Sequence, residues 1–191
     1  DFDIIRILIE NGFDPNLTTP DQRTRSIALA LNSRIPSSEI LFIIKYLNAN
    51  GAEIDYLTDG TFGKESFAMD AIGKPDPSFI IYALEKNSPI HIKNDGENIL
   101  ELSLEYGRDR NVKSIEAFLQ RTENAYLNDK HFFSGNTPLN LVTWRNFEET
   151  ALLFINNGAD VNTVNKNGST PLMGASRNGN NKLMEHLIDK G

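Results

Sequence analysis

A five-residue motif occurs twice in the C-terminal part of the chain and constrains the fold more than any other feature. Residues 135–139 read Gly-Asn-Thr-Pro-Leu, and 33 residues later residues 168–172 read Gly-Ser-Thr-Pro-Leu. Each motif leads into two apolar patterns of helical spacing, and a glycine follows the second pattern, at Gly158 and at Gly191. A fixed period of this length predicts a stack of similar supersecondary units rather than a single irregular core.

Each residue of the motif has a predictable place in a helix–turn–helix unit. Thr137 and Thr170 are suited to cap a helix, because a threonine side chain accepts hydrogen bonds from free backbone N–H groups. The proline after each threonine fits the first helical position, where no N–H is needed. Nine residues after the threonines stand Asn146 and Gly179, which tolerate the left-handed backbone of a sharp turn. Gly158 would then end the second helix as a C-cap glycine.

Weaker copies precede these two. The post-helix loop at 157–162 (Asn-Gly-Ala-Asp-Val-Asn) is similar to segments 50–55 and 11–16, and apolar stripes of helical spacing lie before each loop. Residues 96–100 (Gly-Glu-Asn-Ile-Leu) occupy the place of the Thr-Pro-Leu motif one repeat earlier. Between 17 and 91 the Thr-Pro start is lost, and the distance from Gly12 to Gly51 exceeds the period by six residues. We expect the extra residues at 34–38, between two helices.

The period and the Thr-Pro-Leu start resemble the ankyrin repeat, and the resemblance extends over the whole chain. It implies an all-α solenoid of helix–turn–helix repeats with β-turn or hairpin loops, in one domain. The boundaries predicted from it are a half-repeat at 1–16 and repeats at about 17–55, 56–91, 92–124, 125–162 and 163–191. The competing fold, a non-repetitive helical bundle, would not repeat cap, proline and glycine at a fixed offset. Because repeats bury their apolar faces only against neighbours, we also expect a segment of a longer protein.

Composition and motifs argue against several classes of function. The net charge is −7 and there is no cysteine, so we expect neither nucleic-acid binding nor thiolate chemistry. The longest strongly apolar run, 40–44, is far below the ~20 residues that span a bilayer, and we expect no membrane contact. None of the three histidines has a metal-ligand spacing, and no phosphate-binding glycine loop or nucleophile motif is present. We therefore expect no enzyme, no cofactor and no metal.

The ankyrin resemblance implies that a partner protein binds across the concave surface formed by the turn tips and the exposed side of each first helix. Carried over by register, the candidate partner-binding residues are Asn94, Asp95, Glu97, Glu105, Tyr106, Phe132, Phe133, Asn136, Trp144, Arg145, Lys166, Asn167, Ser169, Arg177 and Asn178. The register is approximate between 17 and 91, where the corresponding positions are Asp21, Gln22, Asn32, Phe62 and Lys64.

One aromatic cluster stands out among these candidates. The turn of the 125–162 repeat contains Phe132 and Phe133, and its first helix carries Trp144, the only tryptophan, beside Arg145. Tryptophan, tyrosine and arginine are the residue types that most often anchor interfaces. Two interpretations remain open: the cluster is a partner site, or one of the phenylalanines folds inward to cover a lengthened loop.

Three classes of function follow. The first is a protein-interaction module or scaffold that binds a protein of unknown identity as a monomer. The second is a targeting or regulatory module attached to a catalytic domain outside this segment, as in a bacterial effector. The third, an enzyme within these residues, lacks any catalytic motif. Frequent asparagine, lysine and isoleucine favour an AT-rich, bacterial genome, and we expect a cytoplasmic protein, with a secreted effector as the alternative.

Overall fold

The computed structural model describes residues 2–17, 26–31, 33–54, 58–60, 63–90, 98–107, 109–131 and 133–191. In these ranges a single helix is followed by five helix pairs. The helices are α1 (Phe2–Glu10), α2 (Ser26–Leu31), α3 (Ser37–Ala49), α4 (Phe67–Ile72), α5 (Ser78–Glu85), α6 (Ile99–Gly107), α7 (Val112–Arg121), α8 (Pro138–Arg145), α9 (Glu148–Asn156), α10 (Pro171–Arg177) and α11 (Asn181–Lys190).

The helices pack in two rows, which confirms the predicted solenoid. The first helices of successive pairs contact one another from α2 through α4, α6 and α8 to α10, and the second helices do so from α5 through α7 and α9 to α11. Within most pairs the two helices also pack together. The core is therefore continuous along the stack, with fully buried aromatic rings at Phe67, Phe79, Phe118 and Phe154. The number and boundaries of the repeats stay a prediction.

The first helices begin where the capping residues predict. The side chains of Thr137, Thr170 and Ser66 each accept a hydrogen bond from the backbone N–H three residues ahead. Asn98 caps α6 in the same way, since its Oδ1 accepts from the N–H groups of Leu100 and Glu101. The capping function thus persists in repeats that have lost the Thr-Pro sequence.

The second helices end in a common left-handed turn. Gly51 and Gly158 have φ angles of 97° and 91°, and the N–H group after each glycine bonds to a carbonyl five residues earlier, the pattern of a Schellman motif. Asn87, with φ 57°, makes the same turn after α5. Asparagine tolerates this conformation better than other side chains do, which explains how the motif survives without glycine.

The residues predicted as an insertion, 34–38, lie partly in the connection between α2 and α3 and partly in α3 itself. Residues 33–36 lie between α2 and α3, as expected, but Ser37 and Ser38 already belong to α3. That helix is 13 residues long, compared with 9 for α9. The prediction that all of 34–38 lies between helices was therefore wrong in part, because apolar residues from Ile40 to Leu47 allow α3 to bury a longer face.

One loop forms a short β-hairpin. Strand β1 (Thr58–Gly60) pairs antiparallel with β2 (Gly63–Glu65), and Thr58 lies opposite Glu65. The hairpin precedes α4, at the position where the resemblance implies a turn or hairpin.

Loop asparagines connect consecutive repeats. The Asn16 side chain donates to the Gly51 carbonyl and accepts from the Glu53 N–H group, both at 2.8 Å. Asn128 contacts the next loop in the same pattern, donating to the Gly158 carbonyl at 3.4 Å and accepting from the Asp160 N–H group at 2.9 Å. These side chains satisfy backbone groups that the left-handed turns leave without a helical partner.

Candidate functional site

The first element of the candidate site is a tight turn that presents Phe133. The His131 N–H group donates to the Asn136 carbonyl and the Gly135 N–H group donates to the His131 carbonyl, both at 2.8 Å. The ring of His131 lies 5.9 Å from the ring of Phe133 between centroids. Phe133 is 65% exposed, so this side chain does not fold over the helices. Phe132, the other phenylalanine considered for that role, lies outside the described residues.

The turn of the next repeat packs beside it. The Lys166 N–H group donates to the Ser134 carbonyl at 3.0 Å, and the Asn165 amide donates to Asn136 Oδ1 at 2.7 Å. The Asn165 carboxamide oxygen also accepts from the N–H groups of Asn167 and Ser169. Two hydrogen bonds between the turns and several within them restrain the tips, which sets their side chains in a defined arrangement before any partner binds.

The second element consists of the C-terminal ends of α8 and α10, where Trp144 and Arg177 contact each other. These residues are one period apart, and the Arg177 guanidinium carbon lies 5.0 Å from the centre of the Trp144 ring, within the range of a cation–π contact. The Asn178 amide donates to the carbonyls of Thr143 and Trp144 at 2.9 and 3.2 Å. Trp144 is half-buried, and its indole Nε1 is buried without a hydrogen-bond partner among the described residues.

A glycine allows this close approach. A Cβ atom added to Gly174 in α10 would lie 2.9 Å from Thr143 Oγ1 and 3.0 Å from the Trp144 backbone nitrogen. A larger residue there would push α10 away from α8 and separate Arg177 from the indole.

The cations and the acids of this region lie on different elements. Within residues 133–178, every cation lies on a turn or at the end of a first helix, at Arg145, Lys166 and Arg177, whereas the acids lie on α9 and the loop after it. Hydrogen bonds from Lys182 (2.8 Å) and Asn180 (3.0 Å) lower the pKa of Glu148 below its usual value, so this carboxylate stays ionised on the second-helix side.

We call the surface formed by Phe133, Trp144, Arg145, Lys166 and Arg177 the turn-and-helix face. All of them are exposed except the half-buried Trp144.

The remaining predicted residues are placed unevenly. Asn136 and Asn178 are used within the fold, since their side chains join neighbouring turns or helices. Asn167 is exposed and Ser169 is half-buried at the second turn. The residues that fall outside the described ranges are Asn94, Asp95, Glu97, Asp21, Gln22, Asn32 and Phe62. The structure describes only the backbone of Lys64 in β2 and of Glu105 and Tyr106 in α6.

Comparison with known families places this region in a recognised class. A family described as ankyrin repeats matches residues 108–191 with three copies, a range that contains the whole turn-and-helix face. Residues 108–191 therefore belong to the ankyrin-repeat family. Ankyrin repeats are generally protein–protein interaction modules, and the family is typically non-catalytic. A search of curated proteins found no match.

Two further observations concern membranes and metal ions. Among the described residues, none of the helices is both long and apolar enough to cross a bilayer. In the same part of the chain, no group of three or more histidine, aspartate or glutamate side chains is arranged to hold a metal ion.

Sequence reasoning missed two residues that build the turn-and-helix face. The Asn165 side chain joins the two turns, and Gly174 sets the distance between α8 and α10. A signal existed only for Gly174, because a glycine inside a helical pattern usually indicates a close approach of another element.

Proposed function

We propose that this ankyrin-repeat chain binds a protein partner through the turn-and-helix face. The observation that carries the proposal is Phe133, a large apolar side chain held 65% exposed on a turn that internal hydrogen bonds restrain. When a partner covers an exposed aromatic ring, the burial contributes favourably to the free energy of binding. Because the turn is already restrained, little conformational entropy is lost on binding.

Trp144 and Arg177 extend this contact surface to the first helices. Both are residue types that dominate interface energetics, and their contact already orders the arginine side chain. The area between the turn and the helix ends thus combines an apolar anchor with oriented donors. We further propose that the chain acts as a monomer and as a cytoplasmic interaction module or scaffold.

Affinity capture from an extract of the source cell tests the proposal when wild type is compared with matched variants. Phe133→Ala removes the exposed ring, and Ile188→Ala on α11 is the control, because Ile188 is 63% exposed outside the turn-and-helix face. We expect Phe133→Ala to lose the captured protein and Ile188→Ala to retain it. Equal retention by both variants would contradict the proposal.

Trp144→Ala separates recognition from packing. If the indole contacts the partner, capture falls while the melting temperature stays close to that of wild type. A large drop in melting temperature with capture retained at low temperature would instead assign Trp144 to packing.

A further inference from the structure

We propose that the turn-and-helix face recognises an acidic segment of the partner, with a carboxylate bound at Arg177. This inference rests on the proposed function and adds the chemistry of the ligand. Its first support is the distribution of charge among the elements. The chain has a net charge of −7, yet within residues 133–178 the turns and first helices carry Arg145, Lys166 and Arg177 and no acid.

The second support is the geometry of Arg177. Its guanidinium lies over the Trp144 ring, and among the described residues no carboxylate forms an ion pair with it. A guanidinium held against an aromatic face keeps its edge donors directed outward, and two of them match the two oxygens of a carboxylate. Arg177 is therefore oriented but not neutralised within the described part of the fold.

The third support comes from neighbouring positions. Lys166 and Arg145 are exposed on the adjacent turn and helix end, so a peptide crossing from Phe133 to Arg177 would pass cations on both repeats. Complementary charge of this kind sets the orientation and speed of association. A peptide with one apolar residue for Phe133 and acids beyond it matches the face.

An acidic peptide fits better than a nucleic acid. Binding to a phosphate backbone draws its affinity from neutralising many phosphates, whereas this face offers three cations within a strongly acidic chain. We therefore commit to carboxylates and treat polyphosphate binding as an outcome of the test.

The test is selection of short random peptides displayed on phage against the folded chain, followed by affinity measurement. Trp144 is the only tryptophan, so its fluorescence reports on this site directly. We expect the selected peptides to be enriched in aspartate and glutamate. We also expect Arg177→Glu and the neutral Arg177→Gln to weaken binding by more than about tenfold, and Arg177→Lys to restore only part of it.

Lys190→Glu is the matched control, because it reverses an exposed cation on α11, outside the face. It should change affinity by no more than about twofold. Circular dichroism melts establish that the Arg177 variants are folded, and Arg177→Gln keeps the test valid if charge reversal disturbs α10.

The outcomes separate the two proposals. Peptides without acidic enrichment that depend on Phe133 but not on Arg177 would support the proposed function and overturn the carboxylate site. Binding that depends on neither residue would overturn both. Displacement of the peptides by a single-stranded DNA oligonucleotide, with higher affinity than the peptides themselves, would also overturn the carboxylate proposal.

Discussion

At the scale of single residues, Gly174 shows how one missing side chain positions a surface. The atoms that a Cβ would meet include the backbone of Thr143 and Trp144, and Thr143 Oγ1 is itself held by the carbonyls of Leu139 and Asn140. Neither neighbour can move without shifting α8. The contact between Trp144 and Arg177 therefore depends on a residue that touches neither ring nor guanidinium.

We predict that Gly174→Ala destabilises the fold. Alanine favours the helix by roughly 1 kcal/mol relative to glycine, but overpacking against a fixed backbone costs about 1–3 kcal/mol. We expect a net loss of up to about 2 kcal/mol in the free energy of unfolding, the difference between these two effects, measured as a lower urea midpoint. Ser176→Ala, on the exposed side of the same helix, is the control and should change little. A Gly174→Ala midpoint at or above wild type would show that α10 shifts freely.

At the scale of elements, the capping side chains of the first helices differ in how many hydrogen bonds they make. Thr137 is fully buried, and besides capping α8 its hydroxyl contacts Asn140 Oδ1 and Thr163 Oγ1. Thr170 caps α10 through a single bond to the Met173 N–H group. The same motif residue is therefore part of a buried network in one repeat and a simple cap in the next.

We predict that the two threonines respond differently to alanine. Thr170→Ala should cost about 1 kcal/mol, as for an ordinary cap. Thr137→Ala should cost about 2–3 kcal/mol, because it also leaves buried polar groups without their partner. Urea unfolding of the two variants gives the comparison directly, and equal losses would mean that the buried network contributes nothing beyond the cap.

At the scale of the whole molecule, burial is unequal along the stack. Helix α1 contains no buried residue, and Ile4, Ile7 and Leu8 are 58%, 53% and 43% exposed. Helices α8 and α9 lie between neighbours on both sides and each bury several side chains completely. In a linear array each unit is stabilised only by its neighbours, so stability should vary with position.

We predict that α1 opens more readily than the middle of the stack. In native-state hydrogen exchange, amides of α1 should exchange at least about tenfold faster than those of α8 and α9, because local opening there exposes little buried surface. Uniform protection from α1 to α11 would instead indicate a single cooperative unit.

Much of the fold could be predicted from the sequence because it depends on local rules. Thr137, Thr170 and the prolines after them specify helix starts, and Gly51 and Gly158 specify left-handed turns, wherever the rest of the chain lies. The pairing of β1 with β2 and the exact position of the extra residues near α3 were harder to predict, since the motif is weak in that region and packing decides which residues extend a helix.

Only part of the candidate site could be predicted from the sequence, and the reason is physical. The period places Trp144 and Arg177 at equivalent positions, but only the packing of α10 on α8 brings the guanidinium over the ring. The period likewise assigned Asn136 and Asn178 to the binding surface, yet their amides hydrogen-bond to neighbouring repeats. Local chemistry thus determined the helices, caps and turns of this chain. Which polar side chains are used inside the stack was decided by tertiary structure, because a hydrogen bond between repeats depends on distances that no single repeat encodes.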